Sequence, residues 1–117
     1  MRPDAWKLIW LSLAVLWTAM IVYFSFQAGS PNSPDPPFAH FDKLLHFLFY
    51  GALTFLWLRG LTHHTKIYSL IILAVALLGA ADEIHQGYVP YRDASVLDWC
   101  ADLLGAISAL VVHRKLS

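Results

Sequence analysis

Four apolar runs divide this chain, and their length limits what it can become: Trp6 to Phe26, Leu44 to Leu58, Ile67 to Ala81 and Ala94 to Val112. The first has twenty-one residues. At about 1.5 Å per residue it reaches roughly 30 Å, the thickness of a bilayer's hydrocarbon core. It follows Arg2 and Lys7, with Ser25 to Gly29 near a conceivable cleavage point, yet it is too long for a signal peptide and reads as a retained helix. The second run, fifteen residues between Lys43 and Arg59, is borderline for spanning when taken alone. Composition decides the solvent: 58% of the 117 residues are hydrophobic and 14% charged, against about 25% charged in a soluble domain. A soluble fold of this size has too much surface to cover with so few polar groups.

The punctuation fits four crossings. Gln27 to Phe41 holds four of the six prolines and forms the first loop; Gly60 to Lys66, with His63 and His64, is a short polar connection; Gly87 and Pro90 end the third helix. Expected helices run approximately over 6–26, 43–60, 67–86 and 94–113, in one domain over 1–117. Basic residues collect on loops kept in the cytoplasm. Arg2 and Lys7, Arg59 and Lys66, and Arg114 and Lys115 mark the N-terminus, second loop and C-terminus, whereas the other two loops carry only Lys43 and Arg92. The expectation is an all-α four-helix transmembrane bundle with both termini cytoplasmic. Zero net charge gives no reason to expect nucleic acid. The single cysteine, Cys100, excludes an intrachain disulfide and reads as helix packing.

With this topology the ionisable residues of three segments gather at one end: Asp42, Lys43 and His46; Asp82, Glu83, His85 and Gln86; Arg92, Asp93, Asp98 and Asp102. Residues three or four apart on a helix share a face, so Asp42 with His46, Glu83 with Gln86, Asp82 with Gln86, and Asp98 with Asp102 are paired. Gly105 would let a neighbouring helix approach. Six acids against Lys43 and Arg92 leave a formal excess of four negative charges. In a low dielectric these cannot all stand ionised and alone: protons, internal pairing or a bound cation must compensate. Carboxylates with an imidazole suit magnesium, manganese or zinc, and Glu83, His46, Asp98 and Asp102 are the candidate ligands. A haem between His46 and His85 fits less well, because these histidines sit among acids. The aromatic residues, among them Trp6, Trp10, Trp57, Tyr68, Tyr88 and Tyr91, read as packing and interfacial anchors.

Asp42-Lys43-x-x-His46 opening a helix, Glu83-x-x-Gln86, Arg92 in the next loop, Asp98 with Asp102 and Gly105, and Ser25-Phe26-Gln27 closing the first helix together resemble the VanZ-like membrane proteins of bacteria. Asp102 departs from the pattern, where Asn is expected. The resemblance implies a bacterial cytoplasmic membrane location, and the family takes its name from a protein linked to low-level teicoplanin resistance; it supplies no reaction. Three readings follow from the residues. In the first, Asp42, Lys43, Gln86, Arg92 and Asp102 bind an anionic lipid or cell-envelope precursor headgroup, while Glu83, His46 and Asp98 act as acid, base or cation ligands. In the second, the same residues are ion pairs that lock the helices. The third is proton or ion movement.

Overall fold

The computed structural model describes residues 2–32, 34–61 and 65–117, so His63 and His64 lie outside the described residues. The elements are α1 (Pro3–Ser25), α2 (Phe41–Gly60), α3 (Thr65–Gln86) and α4 (Val96–Leu116). Among the described residues these are the only regular elements. Each is long and apolar enough to cross a membrane. Lengths of 20 to 23 residues correspond to roughly 30–35 Å at the α-helical rise.

The bounds differ from the sequence expectation at places with physical causes. Pro3 starts α1 three residues early, because a proline at the first helical position gives up an N–H that would have no partner there. The short second run becomes a full span because α2 begins at Phe41 and includes Asp42 and Lys43, charged residues that a hydropathy reading sets aside. Ser95 is extended (φ −144°, ψ 127°) and caps α4, which therefore begins at Val96 and not at residue 94, and α4 continues to Leu116.

Side chains are distributed as lipid demands. Leu13, Leu16, Leu70, Leu73, Leu77, Ile84, Leu97, Leu104, Ile107 and Val111 face outward, and the interior takes small residues such as Ala14, Ala101, Ala106 and Ala109. Lipid tails are as apolar as leucine, so burying leucine gains little, whereas small residues permit close helix contact. Cys100 is exposed on α4, outside the packed interior expected for it. Each tryptophan N–H that is turned inward finds an acceptor: Trp17 donates to the Phe49 carbonyl (2.9 Å), Trp57 to Thr18 Oγ1 (3.0 Å) and Trp99 to the Ala76 carbonyl (2.9 Å). These bonds join α1 to α2 and α4 to α3 without water, which the hydrocarbon region lacks.

The most extensive contact is between α2 and α4; α1 packs on α2 and α3 on α4, while α1 and α3 touch only slightly. As second and fourth crossings, α2 and α4 run in the same direction. Ala101, Gly105 and Ala109 are buried at four-residue intervals along α4, a small-residue stripe of the kind that brings membrane helices together. A Cβ on Gly51 would lie 3.2 Å from the Gly105 carbonyl oxygen, and one on Gly105 would lie 3.0 Å from the Gly51 nitrogen and strike the Phe47 carbonyl. The obstacle is backbone, which cannot turn aside. Gly105→Ala is therefore expected to lower stability by about 1–3 kcal/mol, the usual cost of overpacking, and Gly105→Leu to cost more. Thermal unfolding in detergent measures both; equal midpoints for wild type and Gly105→Leu would show that the helices do not cross there.

Candidate functional site

The parallel run of α2 and α4 sets their N-terminal turns beside the C-terminal turns of α1 and α3, and every side chain of the polar cluster comes from one of these turns or the loop after α3. The helix macrodipole places partial positive charge at the two N-termini, which suits the acids of the first turns, Asp42 and Asp98.

Local chain chemistry frees Asp98 for this role. An acid three residues after an N-cap commonly reaches back to the cap's own N–H. Here Glu83 Oε2, on α3, accepts the Ser95 N–H at 2.9 Å. Asp98 instead turns inward, with its side chain almost wholly buried. Lys43 Nζ bridges two acids, Asp42 Oδ2 at 2.7 Å and Asp98 Oδ1 at 3.0 Å. His46 is the centre of the group. Its Nδ1 lies 2.7 Å from Oδ1 of the fully buried Asp102, and its Nε2 lies 3.6 Å from Asp98 Oδ2 and 3.8 Å from Glu83 Oε1. Donor atoms of His46, Glu83 and Asp102 fall within 4.8 Å of one another, close enough to share a metal ion. Glu83 Oε1 and Asp102 Oδ2 are buried with no hydrogen-bond partner. Asp42, Glu83, Asp98 and Asp102 against the ammonium of Lys43 leave a formal excess of three negative charges in the group around the imidazole.

A second group surrounds Asp82. Tyr50 donates to Asp82 Oδ2 (3.0 Å), Gln86 Nε2 to Oδ1 (3.3 Å), and Ser25 Oγ also donates to Oδ1. The Tyr50 and His46 rings lie nearly parallel, 6.2 Å apart, so the two groups are neighbours. Sequence spacing anticipates Gln86 beside Asp82, but not Tyr50 or Ser25. Tyr50 could have been found as the residue four beyond His46; Ser25 entered only through the family resemblance.

The loop after α3 closes the end of the bundle. Arg92 Nη1 donates to the carbonyls of Phe24 (3.1 Å) and Ser25 (3.4 Å), and the Gly29 amide donates to the Pro90 carbonyl (3.0 Å). Gly29 has to be glycine, because a Cβ there would collide with the Tyr91 carbonyl. Arg92 thus secures the last turn of α1, whose carbonyls lack intrahelical donors, and does not pair with a cluster acid. His85 turns to α1, its ring 4.4 Å from that of Phe26, and is not part of the His46 cluster; Asp93 is exposed. The two histidines sit in different surroundings, which removes the basis for a haem between them.

A partly open cavity of about 570 Å³ lies against this end. Its lining combines polar residues, Asp42, His46, Asp82, Gln86, Arg92 and Asp98, with apolar ones, Met20, Ile21, Phe24, Leu45 and Phe49. A family model described as VanZ/LLP1 matches residues 8–116, nearly the whole chain and the whole of this site. The chain belongs to the VanZ/LLP1 family. No curated protein and no solved structure matches it. For this VanZ/LLP1 chain the arrangement therefore has to be read from its own atoms, and it offers three capacities: a cation held by buried anions, a proton carried by the His46 and Asp102 pair, and an amphiphile received by a mixed polar and apolar lining.

The opposite end has one buried polar pair that the sequence reading missed. His113, next to the basic pair Arg114 and Lys115, is fully buried with Nε2 3.3 Å from Tyr68 Oη, joining α4 to α3. At the site end, Tyr50→Phe removes one donor from buried Asp82 while preserving the ring. A loss of about 2 kcal/mol is expected, as for a hydrogen bond to a charged group, and unfolding in detergent by circular dichroism checks it. An unchanged midpoint would mean that Asp82 does not depend on this hydroxyl.

Proposed function

We propose that this protein binds the anionic headgroup of a membrane lipid or lipid-linked cell-envelope precursor, at a site near the outer leaflet of a bacterial cytoplasmic membrane. The observation that carries the reading is the mixed lining of the 570 Å³ cavity: a soluble ion needs no apolar lining and a hydrocarbon chain needs no polar one, whereas an amphiphile uses both. Two further crevices follow along α3, the first against α1 and the second, apolar, against α2. One, of about 220 Å³, shares Ile21, Ser25, Tyr50 and Asp82 with the headgroup cavity. The next, of about 360 Å³, shares Leu78 with the first and continues past Val75 and Ile71 to Ile67. The slight contact of α3 with α1 and with α2 leaves this path for a lipid chain.

The guanidinium of Arg92, which lines the cavity, would face phosphate or carboxylate, with Lys43 beside it on Asp42 and Asp98, Asp42 and Gln86 ordering the hydrogen bonds, and Asp102 acting from behind through His46. Glu83, His46 and Asp98 would supply acid, base or cation chemistry if the bound headgroup is processed. The segregation of Arg2, Lys7, Arg59, Lys66, Arg114 and Lys115 to the other end supports cytoplasmic termini and an outward-facing site. A link to glycopeptide resistance would then run through the envelope precursors on that face.

The competing reading, that the cluster only ties helices together, draws on the Lys43–Asp98 and His46–Asp102 contacts between α2 and α4. Ile21→Trp separates the two, because it fills the shared neck of cavity and crevice without touching an ion pair. Native mass spectrometry of the protein from bacterial membranes is expected to show a retained anionic lipid on wild type and at least a tenfold smaller bound fraction on Ile21→Trp. Equal, nonselective lipid adducts on both proteins would reject the headgroup site.

A further inference from the structure

We infer that His46, Glu83 and Asp102 together hold one zinc ion, which fastens α3 to the paired helices α2 and α4. Each of the three helices supplies one of these residues. A donor atom of each residue lies within 4.8 Å of donor atoms of the other two. Ligand atoms on one zinc ion, at bonds of about 2.0–2.2 Å, stand roughly 3–3.6 Å apart, so side-chain shifts of about 1 Å close the set.

Two buried oxygens point to an ion independently of the acidity of the cluster. Each carboxylate has one oxygen engaged: Glu83 Oε2 accepts the Ser95 amide at 2.9 Å, and Asp102 Oδ1 lies 2.7 Å from His46 Nδ1. The other oxygen of each, Glu83 Oε1 and Asp102 Oδ2, is buried without a hydrogen-bond partner, on side chains only 9% and 0% exposed. Anionic oxygens left in that state are costly, because neither water nor a donor replaces the lost hydration. Asp102 Oδ2 lies against Gly79 of α3, where an added Cβ would come within 2.8 Å of it, and Glu83 follows Gly79 by four residues, one turn along the same face. His46 adds an imidazole whose Nε2 is 3.8 Å from Glu83 Oε1. Asp98 stands outside the set, with its Oδ1 3.0 Å from the Lys43 ammonium.

Charge and packing say what the ion does. A divalent cation removes two of the three excess negative charges in this group. One imidazole with two carboxylates suits zinc better than calcium or magnesium, which take oxygen ligands, and zinc imposes no geometry of its own on the angles that three packed helices dictate. Packing leaves α3 the weakly held member: it lies on α4 but meets α1 and α2 only slightly. An ion shared by His46, Glu83 and Asp102 ties α3 to α2 at the point where side-chain packing does not. Of the three ligands His46 alone lines the cavity, which gives the ion, and a water to complete its coordination, a way in.

The test is a zinc titration by calorimetry on chelator-stripped protein in detergent, followed by thermal unfolding with and without the metal. One zinc per chain is expected, undisturbed by excess magnesium, together with a higher unfolding midpoint. Glu83→Gln and Asp102→Asn keep side-chain shape and should each lower zinc affinity by about a hundredfold or more and cancel the rise in midpoint. Asp98→Asn removes an acid of the cluster but no ligand, and should lower affinity by less than about tenfold. Cobalt-loaded wild type, which needs no variant, should show the intense visible bands of a four-coordinate site. No zinc bound by wild type, the weak bands of six-coordinate cobalt, or wild-type affinity in Glu83→Gln or Asp102→Asn would overturn the site. Equal losses in all three acid variants would overturn the ligand set in favour of a diffuse acidic surface. The titration contains no added lipid, so its outcome is separate from that of lipid retention by Ile21→Trp.

Discussion

At Gly51 and Gly105, α2 and α4 approach until backbone meets backbone, and this approach sets the reach of the side chains one turn nearer the polar end. His46 lies five residues before Gly51, and Asp102 three before Gly105; a wider crossing would leave the imidazole short of the carboxylate. The contact has little hydrophobic drive, since lipid competes equally for apolar surface. It depends on shape, and shape in turn delivers the polar groups to one another. Buried charges tolerate no looser arrangement, because an ion separated from its partner in hydrocarbon loses far more than a surface pair would.

The same direction of travel in α2 and α4 has an electrostatic result. Two N-termini meet at the polar end, and their partial positive charge lies where the first-turn acids are found. The opposing helices contribute C-terminal turns, whose unsatisfied carbonyls need donors. Arg92 supplies donors to α1, and Glu83 accepts from the cap of α4. Loop and helix ends therefore satisfy each other, which leaves Asp98, the inner oxygen of Glu83 and the second nitrogen of His46 for other work.

Much of this could be read from residue order, for reasons specific to each part. Four apolar runs give four helices because a backbone in lipid must satisfy its own hydrogen bonds. The polar end followed from helical spacing, and Gly105 from its lack of a side chain. Pairing across helices was not legible. Nothing in Arg92 indicates that it would hold carbonyls of α1 instead of an acid, or in His85 that it would lie on Phe26. Tyr50 and His113 look like ordinary residues of an apolar helix and of a basic tail; only rotation about the helix axis, which neighbouring helices decide, turns them inward.

The pairing of the second helix with the fourth also orders events in time. Chains emerge from the ribosome N-terminus first. When α2 enters the membrane, Lys43 and His46 are already present, but Asp98 and Asp102 have not been made. The least apolar of the four segments carries its own Asp42–Lys43 pair, and the last segment adds the contacts of Lys43 to Asp98 and of His46 to Asp102. A chain truncated after α3 would keep the Lys43–Asp42 pair but leave His46 without Asp98 and Asp102, its partners on α4.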